Sequence, residues 1–303
     1  MMSQAGSILE TNLPLPLYRK GKVRDTYDLG DNLLIVATDR ISAFDVILPC
    51  AIPFKGKVLN QLSAFWFNKT AHLVANHMLA LVDRLSVLPA SLAKAKPEPS
   101  YLVGRSMVVR KAKLIPVECV VRGYISGSAW VEYQEKGTAC GLKLPTKLKE
   151  AEKLPQPIFT PTTKADSGHD MPLTRKEMVR LVGESLADQL EAHTKRVYMY
   201  AHDYALDKGI IIADTKMEYG MVNDGVTLID ELLTPDSSRF WAASGYVVGR
   251  SQPSYDKQPV RDWLIELGWD KNPPAPMLSE EAIQQTTERY CQAYQRLTGK
   301  SLT

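Results

Sequence analysis

The stretch IIIADTKMEYG, residues 210–220, sets Asp214, Lys216 and Glu218 at every second position behind an apolar run. In a strand, side chains at i, i+2 and i+4 point to one face. An acid, a base and an acid therefore stand in a row, as a salt-bridged rim or as a site. The isoleucines before them read as a strand buried on both faces. After Glu218 the chain runs YGMVNDGVTLIDE, and Asn223, Asp224 and Gly225 compose a three-residue turn with glycine at the left-handed position. Pairing Val222 with Val226 across that turn sets Glu218 opposite Asp230. Opposed Cβ atoms of an antiparallel pair lie about 4.5–5.5 Å apart, where like charges repel. A divalent cation between the two removes the conflict. An all-oxygen donor set without His or Cys points to Mg²⁺, its shell completed by water and substrate phosphates. A hairpin slip of one residue would instead turn Asp230 to the other face.

Two further clusters carry anion chemistry. In KGKVRD, Lys20, Lys22 and Arg24 surround Gly21 ahead of a predicted hairpin, where cations and backbone N–H groups can lie over a polyphosphate or be simply solvated. In VVRGYISGS, Arg122 leaves a strand into a small-residue turn. Ser126, Gly127 and Ser128 there offer hydroxyl and backbone donors to a phosphomonoester, or make a structural turn. No GxxxxGK[ST] occurs, which disfavours a P-loop NTPase. A small-molecule kinase would use the same phosphate loop and carboxylates with a hydroxyl acceptor, but the chain has no HRD-type segment and no DFG. A non-catalytic nucleotide-binding module is the third alternative.

The elements that must position these residues are legible in outline. YDL and LLIVA read as short strands joined through Gly30, Asp31 and Asn32. VLNQLSAFWFNKTAHLV has helical spacing. ASLAKAKPEPS reads as an exposed connection, and SMVVRKAKLIPVECVVRGY as two strands separated by Lys113–Pro116. Thr174 and Glu177 form a capping box opening a helical region towards Leu206, with a break at Gly183 and Gly209 as terminator. A last helix runs from a Ser279 N-cap to Leu297, before Gly299.

Bulk properties bound the class. The 303 residues suffice for one large or two moderate domains. Thirty-seven Lys and Arg against 34 Asp and Glu give a net charge of +3, far from the basic stripe of a nucleic-acid binder. Cys50, Cys119, Cys140 and Cys291 are scattered, suggesting neither zinc site nor disulfide framework. With no targeting segment at MMSQAGSILETN and no membrane-length apolar run, cytoplasmic residence is expected.

Taken together, LIPVECVVRGYISGS and IIADTKMEYG, with KGKVRD, DRISAFD, GKVLNQ, DELLTPDSSRFW and SQPSYDKQPVRDW, closely resemble the SAICAR synthetase family of purine biosynthesis. The resemblance covers nearly the whole chain and its longer branch. It implies an α+β, two-lobed fold with an ATP cleft between lobes, distantly like protein kinases and ATP-grasp enzymes. We expect a β-rich lobe over 1–115, carrying the basic loop, and an α+β lobe over 116–303, ending in the C-terminal helix. The implied reaction converts ATP, the imidazole nucleotide CAIR and L-aspartate into ADP, phosphate and SAICAR. A monomer or small homo-oligomer with small-molecule substrates, and with no nucleic-acid or membrane partner, is expected.

Carried over by position, Lys20, Gly21, Lys22 and Arg24 would cover the ATP phosphates, and Glu218 and Asp230 would hold Mg²⁺. Lys111 would contact ATP, with Pro116, Val117 and Glu118 at the lobe junction near adenine. Arg122, Ser128 and Arg239 would hold the nucleotide phosphate. Asp214 and Lys216 would lie at the reacting end of the imidazole, with Asp214 or Asp45 accepting the amine proton. Lys257 and Arg261 would close over the substrates. Ser42 and Asp45, with Lys164, His169 and Asp170, would line the aspartate or imidazole pocket. Tyr219 departs from the family's common Phe, Ser126 from Thr or Ala, and AASGYVVG is less acidic than usual.

Overall fold

The computed structural model describes residues 6–94, 96, 98–164 and 171–302. His169 and Asp170 lie outside the described residues. From the N-terminus come β1 (Leu17–Lys20), β2 (Arg24–Asp28), β3 (Asn32–Ala37), β4 (Arg40–Ala43) and β5 (Val46–Ala51). The composition Gly30–Asp31–Asn32 makes the expected hairpin, with Tyr27 opposite Leu34. Next come α1 (Lys55–Thr70), β6 (Met78–Leu81), α2 (Ala90–Ala93) and β7 (Ser106–Arg110). The first sheet has the order β1-β2-β3-β7-β6, and β4 and β5 pair apart from it. Helix α1 buries Val58, Leu62 and Trp66 with Leu59, Ser63 and Phe67 beside them, and Asn60 and Ala64 as well, so most of its circumference is enclosed.

The second sheet begins with β8 (Lys113–Tyr124), followed by α3 (Gly127–Lys136), β9 (Thr138–Ala139), β10 (Leu142–Lys143), β11 (Lys153–Phe159) and β12 (Thr162–Thr163). Then follow α4 (Arg175–Val182), α5 (Glu184–Asp207), β13 (Ile210–Val222), β14 (Gly225–Ile229), β15 (Ser238–Ala242), α6 (Gln258–Glu266) and α7 (Glu280–Thr298). Its strands run in the order β11-β8-β13-β14, with β12 on β8 and β15 on β13. The Thr174 capping box, the break at Gly183 and the Ser279 N-cap all form. One apolar core joins Ile35 and Trp66 of the first half to Val117, Met217 and Phe240 of the second. Among the described residues no helix is long and apolar enough to cross a membrane.

Three local expectations are corrected. Lys113–Pro116 does not separate two strands: β8 starts at Lys113 and runs through Pro116. Proline lacks the ladder donor, and the register against β13 shifts between Glu218 and Gly220, opposite this stretch. SGS is not a free turn, because Ser126 is the N-cap of α3. The β13–β14 turn has two residues, not three, with Asn223 at φ 47 and Asp224 at φ 63. Both adopt the left-handed conformation that a two-residue hairpin requires and that Asn and Asp tolerate, so Gly225 is free to pair with Val222. Glu218 consequently faces Ile229 rather than Asp230.

Strand β13 is clamped from behind by α5. The Tyr198 hydroxyl donates to the Ile212 carbonyl at 2.8 Å. A Cβ at Gly123 would stand 2.0 Å from that hydroxyl, so the glycine of VVRGY is a packing requirement. Tyr219, on the same strand, is fully buried, and its hydroxyl accepts from Thr194 Oγ1 at 3.1 Å. Tyr219→Phe removes that bond, leaving the buried Thr194 hydroxyl without this acceptor, together with a weak donation from the Tyr219 hydroxyl to Met217 Sδ at 3.6 Å. We expect a stability change within about 1 kcal/mol in urea unfolding, with turnover unaltered.

Candidate active site

A cavity of about 930 Å³ opens between the basic loop after β1, the β4–β5 turn and one face of the second sheet. Asp214, Lys216 and Glu218 all line it, as their spacing on β13 dictates. Asp214 pairs in register with Arg122 of β8 on one side and Arg239 of β15 on the other. Its Oδ2 accepts from both guanidiniums, from Arg122 Nη1 at 3.0 Å and from Arg239 Nη1. Burial pulls the Arg122 guanidinium below its ordinary pKa, whereas Asp214 holds that of Arg239 above it. Beside this triad the buried Ser126 hydroxyl finds no partner among the described residues. A Cβ at Gly127, itself at φ 56, would stand 2.2 Å from Arg239 Nη2.

The centre of the face is acidic and interleaved with lysines. Glu218 faces Glu118 directly across β13 and β8, a like-charge pair. Lys216 Nζ lies 2.8 Å from Glu118 Oε1, and Lys164 Nζ bridges Glu218 and Glu118, 3.6 Å from the latter. Asp230, just past β14, has φ 65 and still lines the cavity, because this left-handed turn redirects the chain where the strand ends. Burial, then the charge of Asp230, raises the Glu218 carboxyl above the ordinary carboxylate range. Burial would also raise Asp230, but Arg24, followed by Lys164, outweighs it and lowers the net value.

The basic loop faces this centre. Arg24 Nη2 lies 2.6 Å from Asp230 Oδ2, and its Nη1 lies 3.1 Å from Glu231 Oε1. Lys22 Nζ spans to Asp45 Oδ1 at 2.5 Å across the cavity mouth. Gly21 N donates to the Arg24 carbonyl at 2.7 Å, and a Cβ there would meet that oxygen at 2.9 Å, so the turn excludes larger residues. Underneath, the buried Arg40 donates to the carbonyls of Gly21 at 3.0 Å and Lys22 at 2.9 Å, and pairs with Asp25 at 2.6 Å. Two cations, Lys257 and Arg261, complete the wall next to Asp236 and Ser237. Burial lowers the Lys257 ammonium below its ordinary pKa.

Residues 17–276 match the family model described as SAICAR synthetase. The chain belongs to the SAICAR synthetase family. It is 52% identical to the phosphoribosylaminoimidazole-succinocarboxamide synthase of Thermodesulfovibrio yellowstonii, covering 96% of this chain and 99% of that one. A second relative of the same name, from Geotalea uraniireducens, is 51% identical over 97% of this chain and 98% of its own. Among solved structures, the SAICAR-synthase from Saccharomyces cerevisiae, described as complexed with SAICAR, superposes with a TM-score of 0.88 at 45% identity. It covers 97% of this chain and 99% of its own. A SAICAR synthetase described as in complex with ADP has a TM-score of 0.68 at 25% identity, covering 94% and 99%.

Of the residues singled out in sequence, Gly21, Lys22, Arg24, Ser42, Asp45, Glu118, Arg122 and Lys164 line this cavity. So do Asp214, Lys216, Glu218, Asp230, Arg239, Lys257 and Arg261. Lys20, Lys111 and Ser128 are not among its lining residues. Lys20 pairs with Glu10 at 3.2 Å, Lys111 with Asp28 at 2.9 Å, and Ser128 is exposed on α3. Arg19, Thr26, Glu231, Asp236 and Ser237 line the cavity without having been anticipated. Glu231 and Asp236 both lie in DELLTPDSSRFW, so the signal was their place in that segment between Asp230 and Arg239.

Proposed function

We propose that this cavity joins L-aspartate to the carboxylate of CAIR, with ATP converted to ADP and phosphate and SAICAR as product. The observation that carries the reading is the convergence of separate cationic groups on one acidic strand face, in a chain of this family. Lys22 and Arg24 suit a polyphosphate, Arg122 and Arg239 a phosphomonoester, and Lys257 and Arg261 the remaining anion. We read Gly21 as the turn that lets the loop fold over ATP. Of the junction residues Pro116, Val117 and Glu118, we place Glu118, which lines the cavity, on the adenine side. We locate the reaction in the cytoplasm.

The donor set fits Mg²⁺. Glu218 and Asp230 offer carboxylate oxygens to one cavity, each already facing cationic neighbours, and folding raises the Glu218 carboxyl partly through Asp230. Among the described residues no group of three His, Cys, Asp or Glu is arranged to hold a metal. Two carboxylates are the protein share expected when phosphates and water supply the rest. Bound there, the ion would neutralise charge on the phosphates during transfer.

A carboxylate is a poor electrophile, because expelling oxide is prohibitive. Phosphorylation turns that oxygen into a phosphate leaving group, and the aspartate amine then attacks the carbonyl carbon. The residues serve this in three ways. Lys22, Arg24 and Lys164 offset charge on the moving phosphoryl group. Arg122 and Arg239, spaced by Asp214, anchor the nucleotide, and Lys216 lies at its reacting end. Asp214 stands between the guanidiniums at the phosphate pole, so Asp45 takes the proton of the attacking amine, while Ser42 helps line the pocket.

The test is ADP release with each substrate omitted in turn. Release should require both CAIR and L-aspartate, with SAICAR formed mole for mole. Release with CAIR alone at the full rate, or with an alcohol acceptor, would overturn the reading in favour of a kinase.

A further inference from the structure

The cavity wall at Asp236 and Lys257 is backed by residues that never reach solvent. Lys55, the first residue of α1, is 0% exposed, and its Nζ lies 2.8 Å from Asp236 Oδ2. Tyr290, midway along α7, is equally buried and donates its hydroxyl to Asp236 Oδ1 at 2.6 Å. Lys257 Nζ approaches Asp236 Oδ2 at 3.5 Å. Three segments far apart in sequence thus converge on one carboxylate. Burying an ammonium is costly, and replacing a buried ion pair by apolar residues often leaves stability unchanged or improved. A fully sealed Lys55 is therefore poorly explained by stability alone.

The charge balance suggests its use. Two ammonium groups share one carboxylate, leaving one positive charge in surplus. Lys55 is sealed off, so the surplus is presented by Lys257, which lines the cavity with Arg261. Were Lys55 absent, Asp236 would pair with Lys257 and cancel it. Were the Tyr290 hydroxyl absent, Oδ1 would lose its donor and the carboxylate would be free to rotate towards Lys257.

We infer that Lys55 and Tyr290 are positioning residues: they fix Asp236 so that Lys257, with Arg261, presents a carboxylate-binding position for L-aspartate. The inference rests on the reaction proposed above, in which the other two cationic groups take the ATP phosphates and the nucleotide phosphate. With the CAIR carboxylate facing Lys216, L-aspartate is the anion left for the third. Helix α7 thereby becomes part of the active site, although it lies beyond the residues 17–276 that match the family model.

Tyr290→Phe keeps the ring and its packing and removes only the donor. The KM for L-aspartate should rise about ten-fold, the loss of one charge-assisted hydrogen bond, with the KM values for ATP and CAIR held within about two-fold. Lys55→Met should raise it further. Should that variant fail to fold, Tyr290→Phe decides alone. An unchanged KM for L-aspartate in Tyr290→Phe overturns the inference. So does an equal rise in all three KM values with a lowered Tm, which marks a merely structural role. If wild-type ADP release does not depend on L-aspartate, the reaction itself is misread, and this separates the two failures.

Discussion

Glu218→Gln should lower turnover at least about a hundred-fold, the scale on which removing one preorganised electrostatic contact to a transition state is felt. Glutamine keeps the size and an oxygen but loses the charge. Asp230 would then be the one anionic ligand of the proposed ion, and it is already engaged by Arg24. The fold should survive. Folding raises the Glu218 carboxyl above its ordinary range, so its ionised form opposes folding near neutral pH, and that opposition fades as pH falls. Removing the charge should therefore leave Tm unchanged or raise it. The same raised carboxyl makes protons compete with the metal, so the Mg²⁺ concentration for half-maximal activity should climb as the wild-type enzyme is acidified. Near-normal kcat for Glu218→Gln at saturating Mg²⁺ would remove the metal assignment.

The strand carrying Glu218 was legible because period-two spacing is a local property. Ile210–Ala213 are buried on both faces, and the charged residues after them share one face. The hairpin register was not legible. It hinges on whether Asn223 and Asp224 both adopt positive φ, and the residue types allow two answers that differ by one position. Asp230 reaches the cavity for a reason other than register: it lies beyond the strand, where its left-handed backbone re-aims it. Cross-strand partners carry no local signal at all. That Glu118 opposes Glu218 depends on β8 pairing with β13 about a hundred residues on. Lys20 and Lys111 illustrate the converse. A basic residue near a phosphate loop has the same composition whether it faces the cleft or a surface acid, and both face acids. Lys55 escaped notice because a lysine opening a helix reads as solvated until its burial is known.

Asp214→Asn should produce the largest loss of stability in the site. The Asp214 side chain is 6% exposed and serves two guanidiniums at once. An amide of the same shape still accepts a hydrogen bond but no longer offsets either charge. Two partly buried arginines, with side chains 11% and 22% exposed, are then left repelling each other, and breaking a pair in this way costs up to about 3–5 kcal/mol, the fully buried limit. Arg122 is the more vulnerable, since burial already disfavours its charged form. The deficit has a specific remedy if this pole is the nucleotide's anchor: a bound phosphate dianion replaces the missing negative charge. Ribose 5-phosphate should therefore raise the Tm of Asp214→Asn more than that of the wild type, even though the variant turns over poorly. Equal shifts in the two proteins would mean that Arg122 and Arg239 serve the sheet rather than the substrate. A variant as stable as the wild type would mean that the triad is already screened by solvent. The first outcome bears on binding and the second on folding, so one thermal titration separates the roles of a carboxylate that geometry alone ties to both.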